Sequence, residues 1–352
     1  MKAPETSSGS GTLWQTLKRP PWRTLVPAVS LLLLVLVARA LWSPGRDFTD
    51  GRHDFGRNGV WMQHGWIGAD SWFIENERQH KLPLFRSVQK VREMTSLMKR
   101  NGVRDIFPHL CPTTPKGEIM PVDDRQTEVL LREAGNIRVL PWVGGVLDAD
   151  VSPDIASRRQ TFTRSIRALL LRHPKLAGVH LNVEPWPSGN KNMLVLLDEI
   201  RQALPPGKLL SVAAYPPPTR WHPFPEVHWE EDYFKQVASR VDQMAVMMYD
   251  TALKDPKLYQ HLMRGWTQQI LDWSAQAKRP PEILLGVPTY DDAGVGYHNP
   301  DVENLPFALM GIHAGLASYP KPPAHYAGAA VYCEWETDEA EWKYWREHFR
   351  RP

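Results

Sequence analysis

Ala177-Gly178-Val179-His180-Leu181-Asn182-Val183-Glu184, followed by Pro185 and Trp186, is the stretch on which the reading of this chain turns. Its apolar residues alternate with His180, Asn182 and Glu184, and side chains two apart on a strand share a face. Three polar side chains on one buried face are expensive unless they bond to one another or to a ligand. Gly178–Glu184 therefore reads as a strand that ends in a site.

Working outward, similar short apolar runs occur at Gly59–Gln63, Val103–Pro108, Ile137–Trp142, Leu209–Tyr215, Gln243–Tyr249, Ile283–Tyr290 and Ala329–Trp335. Their starts lie roughly 30 to 45 residues apart, the repeat of a strand, loop and helix unit. Near-continuous apolar strands fit a parallel sheet buried on both faces. The intervening segments carry helix signals. Ser152-Pro153 supplies a cap and a first-turn proline, Gly102 and Gly135 follow periodic runs as stops, and Met193, Leu197, Ile200 and Leu204 recur at helical spacing. Eight such units predict an α/β fold, a (β/α)8 TIM barrel over 58–352. A doubly wound open sheet is the alternative, but no glycine-rich phosphate loop follows the first strand.

Barrel sites are built at the C-terminal ends of the strands. Those ends hold Trp61, His64, Trp66, Trp142, His180, Asn182, Glu184, Trp186, Tyr215, Tyr249, Asp250, Tyr290, Glu334 and Trp335. With 15 Trp against 10 Phe and 10 Tyr, the chain is rich in the ring on which sugar faces stack, which points to a glycan groove. Plainer roles stand beside this one. Trp61, His64, Trp66, Trp142 and Trp186 also suit packing, Asp250 suits a helix cap, and Glu184 suits an ion pair. His64 with His180 lacks metal-ligand spacing, so neither metal nor cofactor is expected. If Asp250 or Glu334 faced Glu184, a two-carboxylate hydrolase would follow, retaining at about 5 to 5.5 Å separation and inverting beyond. The long loops Pro216–Trp229 and Asp291–Pro306 are expected to shape the groove.

On these residues the chain resembles glycoside hydrolase family 18, the chitinase-like enzymes. The family's strand-four D-G-x-D-x-D-x-E corresponds to Ala177–Glu184, and its M-x-Y-D to Met247-Met248-Tyr249-Asp250. Its G-x-P-x-Y corresponds to Gly286-Val287-Pro288-Thr289-Tyr290, and its last strand to Gly328 through Trp335. The resemblance implies substrate assistance. Glu184 would protonate the leaving oxygen while the sugar's own 2-acetamido carbonyl attacks the anomeric carbon. Tyr249 would hold that carbonyl, and Trp335 would floor the sugar site. The family's Asp two residues before the acid is Asn182 here, as in the similar family 85 endo-β-N-acetylglucosaminidases. That exchange removes a like charge that would help raise the Glu184 pKa, so burial among Trp and Tyr must do so. The motif's middle Asp is His180 here, expected to support Asn182.

Residues 1–57 carry eight Lys/Arg against four Asp/Glu, a net of +4, so the rest of a +3 chain is about −1. That balance argues against nucleic-acid binding. Lys18, Arg19 and Arg23 precede the apolar run Leu25–Ala38, bracketed by Trp22 and Trp42. This predicts a cytoplasmic tail (1–24), a transmembrane signal-anchor (25–42) at the inner membrane, a tether (43–57) and a domain on the periplasmic or extracytoplasmic side. The alternative is secretion after cleavage near Ala40. Cys111 and Cys333 are expected unpaired, with one bridge left open by export. The expected function is hydrolysis of β-linked N-acetylhexosamine-containing glycans. The alternatives are a non-catalytic glycan-binding barrel of the cell envelope and an envelope docking scaffold.

Overall fold

The computed structural model describes residues 22–220 and 224–351 in two compact units, 1–43 and 44–352. Residues 1–21 of the expected cytoplasmic tail lie outside the described residues. The first unit holds a helix, Trp22–Leu41, with Pro27 inside it and Arg39 in its last turn. Its described side chains begin at Val26, and Val26, Val29 and Leu31 to Val37 are all more than half exposed. A membrane span needs about 20 apolar residues. Among the described residues no helix is long and apolar enough to cross a membrane, so the transmembrane segment expected over 25–42 is not established.

The second unit is a parallel barrel. Its strands are β1 (Asn58–Met62), β2 (Val103–Pro108), β3 (Arg138–Val139), β4 (Trp142–Val146), β5 (Gly178–Glu184), β6 (Leu209–Ala214), β7 (Gln243–Val246), β8 (Glu282–Pro288) and β9 (Tyr326–Tyr332). They pair in the order β3-β2-β1-β9-β8-β7-β6-β5-β4. β3 and β4 are two halves of one barrel position. Pro141 lacks an N–H, and the ladder breaks at Leu140-Pro141. The Leu110 N–H donates to the Trp142 carbonyl at 2.7 Å, the Ala177 N–H donates to Val139 at 2.9 Å, and His109 bridges to Trp142. These contacts close the ring at eight positions. The expected strand Ile137–Trp142 is therefore split, and its second half runs on to Val146.

Alternation along the strands divides the core. Val60, Met62 and Ile106 face the surrounding helices, while Trp61, Phe107, Leu140, Trp142, Leu284 and Ala330 pack in the barrel interior. The helices end as the sequence leads one to expect. Val88–Arg100 is capped by Ser87, and Asp124–Ala134 ends at Gly135 with φ 64°. One start differs. The helix expected from Ser152-Pro153 begins at Ala156 with Ile155 at its cap, where no side chain accepts a bond. Residues 44–57 lie against the barrel: the Arg46 N–H donates to Met310 at 2.9 Å, and His53 and His313 share a 2.8 Å bond.

Candidate active site

β5 delivers its three polar residues to one face, but to different depths. At its outer end Glu184 opens into a cavity of about 870 Å³ at the C-terminal ends of the strands. The Asn182 amide donates to Glu184 Oε1 at 2.8 Å, and the Tyr215 hydroxyl to Oε2 at 3.4 Å. The carboxyl can be reached from the cavity, yet protein surrounds it closely. Burial therefore raises its pKa, assisted by the Asp250 charge and opposed by the Asn182 and Tyr215 hydrogen bonds. Asn182 Oδ1 is buried with no hydrogen-bond partner among the described residues. This acceptor is the kind of atom a bound ligand satisfies. Gly144 lets β4 pass close to β5 beside Asn182: a Cβ there would lie 1.8 Å from the Asn182 main-chain oxygen.

His180, one step deeper, does not touch Asn182. Its Nε2 accepts from Trp61 Nε1 at 3.0 Å, which leaves Nδ1 to donate to Ser211 Oγ at 2.8 Å. Ser211 donates to Gln243 at 2.8 Å, and Gln243 to Asp105 at 2.7 Å. Asp105, fully buried, is held by Arg104 and Arg138. Phe107 stacks on the imidazole at 4.1 Å, and burial pushes its pKa down to about 3, so the ring is neutral. His180 therefore anchors the barrel interior instead of supporting Asn182.

Of the residues expected at the site, Trp61, Trp142, Asn182, Glu184, Tyr215, Tyr249, Asp250, Tyr290 and Trp335 line the cavity. The Trp142 indole N–H is a second buried group without a partner among the described residues. Five expected residues lie elsewhere. His64 stacks on Trp72 at 4.2 Å, Trp66 packs edge-on against Phe85, and His180 sits below. Trp186 donates to the Tyr233 hydroxyl at 2.6 Å. Glu334 turns away to accept from Trp66 Nε1 at 3.3 Å and from Gln63, so it does not face Glu184.

Tyr332 was not singled out by sequence, yet it sits at the centre of the aromatic wall. It stacks on Tyr249 at 5.2 Å and meets Trp61, Tyr290 and Trp335 edge-on. Trp335 itself is 37% exposed and lies at the rim. The last strand ends at Tyr332, three residues before the expected end, which is why the central tyrosine read as mid-strand. Cys111 and Cys333 are unpaired.

Asp250 stands at a backbone turn with φ 62°, where β7 has already ended. Tyr290 donates to its Oδ1, and His298 Nδ1 lies 3.4 Å from the same oxygen. Behind it Glu303 is wholly buried; the Thr251 N–H donates to it at 2.8 Å, and His298 Nδ1 lies 3.9 Å away, beyond hydrogen-bond reach. Asp250, His298 and Glu303 offer ligand atoms within 4.8 Å of one another, the one such trio among the described residues. His298 Nε2 donates to the Tyr290 carbonyl, so only Nδ1 faces the carboxylates. Burial pushes Glu303 up to about 7, and the two carboxylates raise His298. Both shifts favour a proton held within the cluster, which offsets part of its negative charge.

Among known proteins, residues 123–347 match the model of glycosyl hydrolases family 18. No curated protein matches the sequence. Solved structures that share the fold include three that illustrate it. The chitinase of Chromobacterium violaceum is 14% identical, with TM-score 0.54, over 83% of this chain and 98% of that one. The Bacillus cereus spore cortex-lytic enzyme SleL is 12% identical, with TM-score 0.53, over 84% and 76%. A fungal endo-β-N-acetylglucosaminidase of family 18 is 13% identical, with TM-score 0.52, over 83% and 96%. At such identities the likeness is one of fold, and the family rests on a match covering well over half the chain: the protein is a member of glycosyl hydrolases family 18.

Proposed function

We propose that this chain is a retaining glycoside hydrolase that cleaves a β-linked glycan next to an N-acetylhexosamine, with the acetamide as nucleophile. One observation carries the reading: a carboxyl with a raised pKa sits at the base of a sugar-sized cavity, beside an amide whose Oδ1 is unsatisfied. A general acid must hold its proton near working pH, and burial shifts Glu184 in that direction. Asn182 serves both partners. Its Nδ2 orients Glu184 and its Oδ1 accepts the acetamide N–H, turning the acetamide oxygen toward the anomeric carbon. Tyr249, against Tyr332, steadies that oxygen. As the leaving oxygen takes the Glu184 proton, the acetamide oxygen bonds to the anomeric carbon and an oxazolinium forms. The Glu184 carboxylate then takes a proton from the water that opens it. This is a substrate-assisted exception to the two-carboxylate scheme.

The reading places the enzyme outside the cytoplasm, associated with the membrane. Support comes from the exposed apolar side chains of the N-terminal helix and from the basic residues that precede them in sequence. Its domains are then the tail, the anchor, the segment over 43–57 and the barrel. Glu184→Gln tests the chemistry. Turnover of N-acetylhexosamine glycans falls below about one-thousandth, on the scale of losing a catalytic acid, while the fold and glycan binding persist. Full activity in that variant contradicts the reading. Glycan binding by the wild type with no cleavage of any bound oligosaccharide favours a binding protein instead.

A further inference from the structure

The cleavage point uses only part of the cavity. Five carboxylates line it, Glu184, Glu226, Asp250, Asp292 and Glu336, and among the described residues no Lys or Arg does. Composition does not explain this, because the chain has 42 Lys and Arg against 39 Asp and Glu. Nor does catalysis, which accounts for Glu184 and Asp250 alone. Glu226, Asp292 and Glu336 come from three loops, one after β6, one after β8 and one after β9. All three are exposed, and none forms an ion pair among the described residues. The Asp291 N–H donates to Glu336 at 3.1 Å, which orders that loop without neutralising it.

Carboxylates of one sign around a walled cleft focus a negative potential into it. A glycan bearing carboxylates is repelled there, and an uncharged one gains nothing from it. A glycan bearing protonated amines is attracted. At the floor the requirement differs: the unsatisfied, nine-tenths buried Asn182 Oδ1 asks for one N–H and a neutral acetamide. The two observations combine into one description of the substrate. We propose that the glycan is a partially N-deacetylated polymer of hexosamine, read with an acetamido sugar at the cleavage point and free-amine sugars against Glu226, Asp292 and Glu336. This rests on the substrate-assisted reading given above.

The test is binding to the full chain carrying Glu184→Gln, in detergent, by calorimetry. The probes are glucosamine hexamers, β-1,4- and β-1,6-linked, either fully or about half N-acetylated, together with N-acetylmuramic-acid-containing glycan strands. In at least one linkage the half-acetylated hexamer binds about tenfold or more tightly than its fully acetylated counterpart, and the muramic-acid strands bind weakest. The advantage disappears in 1 M salt, where screening acts over about 3 Å. It also disappears when Glu226→Gln, Asp292→Asn and Glu336→Gln are added, while N-acetylglucosamine-thiazoline still binds. Equal or tighter binding of the fully acetylated hexamers or of muramic-acid strands, no binding of any hexamer, or a preference that survives the triple change overturns the proposal. Loss of thiazoline binding in the wild type removes the underlying reading instead, so the two failures are separable.

Discussion

Asn182 donates a 2.8 Å hydrogen bond to Glu184, two residues along the same strand face, and keeps its own oxygen unsatisfied. An Asp at 182 could not donate this bond while ionised and would set a like charge beside the acid. The exchange therefore changes how Glu184 keeps its proton. Here burial is the main cause and the neighbouring amide opposes it.

The first prediction concerns that pair. Because the acid acts protonated, activity falls as pH rises through the raised Glu184 pKa. Asn182→Asp adds a like charge and moves that alkaline limb upward. Asn182→Ala leaves the acetamide unoriented and lowers kcat about 100-fold, the scale of a misplaced reacting group. The pH profile of kcat in the three proteins checks both outcomes. An alkaline limb that stays in place in Asn182→Asp contradicts the electrostatic account.

A second prediction follows from the buried trio beside Asp250. Glu303 is raised from 4.5 to about 7 and His298 is raised as well, so the folded state holds protons that the unfolded chain releases. For both groups the stabilising contribution is present at low pH and is lost as pH rises through the folded values. Buried histidines such as His180, held neutral when folded, titrate with the opposite sign, so the cluster is read from a difference. The Tm of the wild type relative to Glu303→Gln should decline between about pH 5 and 8. Glu303→Gln keeps the shape without the ionisable group, and so removes this component. A difference that stays constant or grows in favour of the wild type across this window would count against the cluster.

The third concerns location. Expressed full length in a bacterium, the protein sediments with membranes, stays there in high salt and is released by detergent. Release by salt alone shows that the apolar helix does not hold it, and a mature protein beginning near Ala40 shows cleavage instead.

Much of this was legible in the sequence, for reasons that differ by element. Val103–Pro108 and Gly178–Glu184 have the expected bounds, and the alternation of the second ends at the site itself. Asn182, Glu184, Tyr215, Tyr249, Asp250 and Tyr290 were identified as strand-end residues and share one cavity. The register of the last strand was not legible, since Ala327, Gly328, Ala329 and Ala330 carry little pattern, and Tyr332 was missed with it. His180 misled because alternation gives the face and not the depth. Four residues below the strand's end, the same face belongs to the barrel interior, where Trp61, Ser211 and Gln243 satisfy it. Glu303 and His298 both lie in the long loop before the helix Leu305–Leu316, where no periodicity marks a partner for Asp250.

The most direct test of the central claim is calorimetric binding of N-acetylglucosamine-thiazoline, which mimics the oxazolinium, to the full chain in detergent, in wild type and Tyr249→Phe. The account predicts tight binding by the wild type, weakened about tenfold or more by the loss of one hydroxyl, as one hydrogen bond to a charged group is worth about 1.5 to 3 kcal/mol. No binding at millimolar inhibitor, or equal binding by both proteins, would contradict an acetamide-guided site.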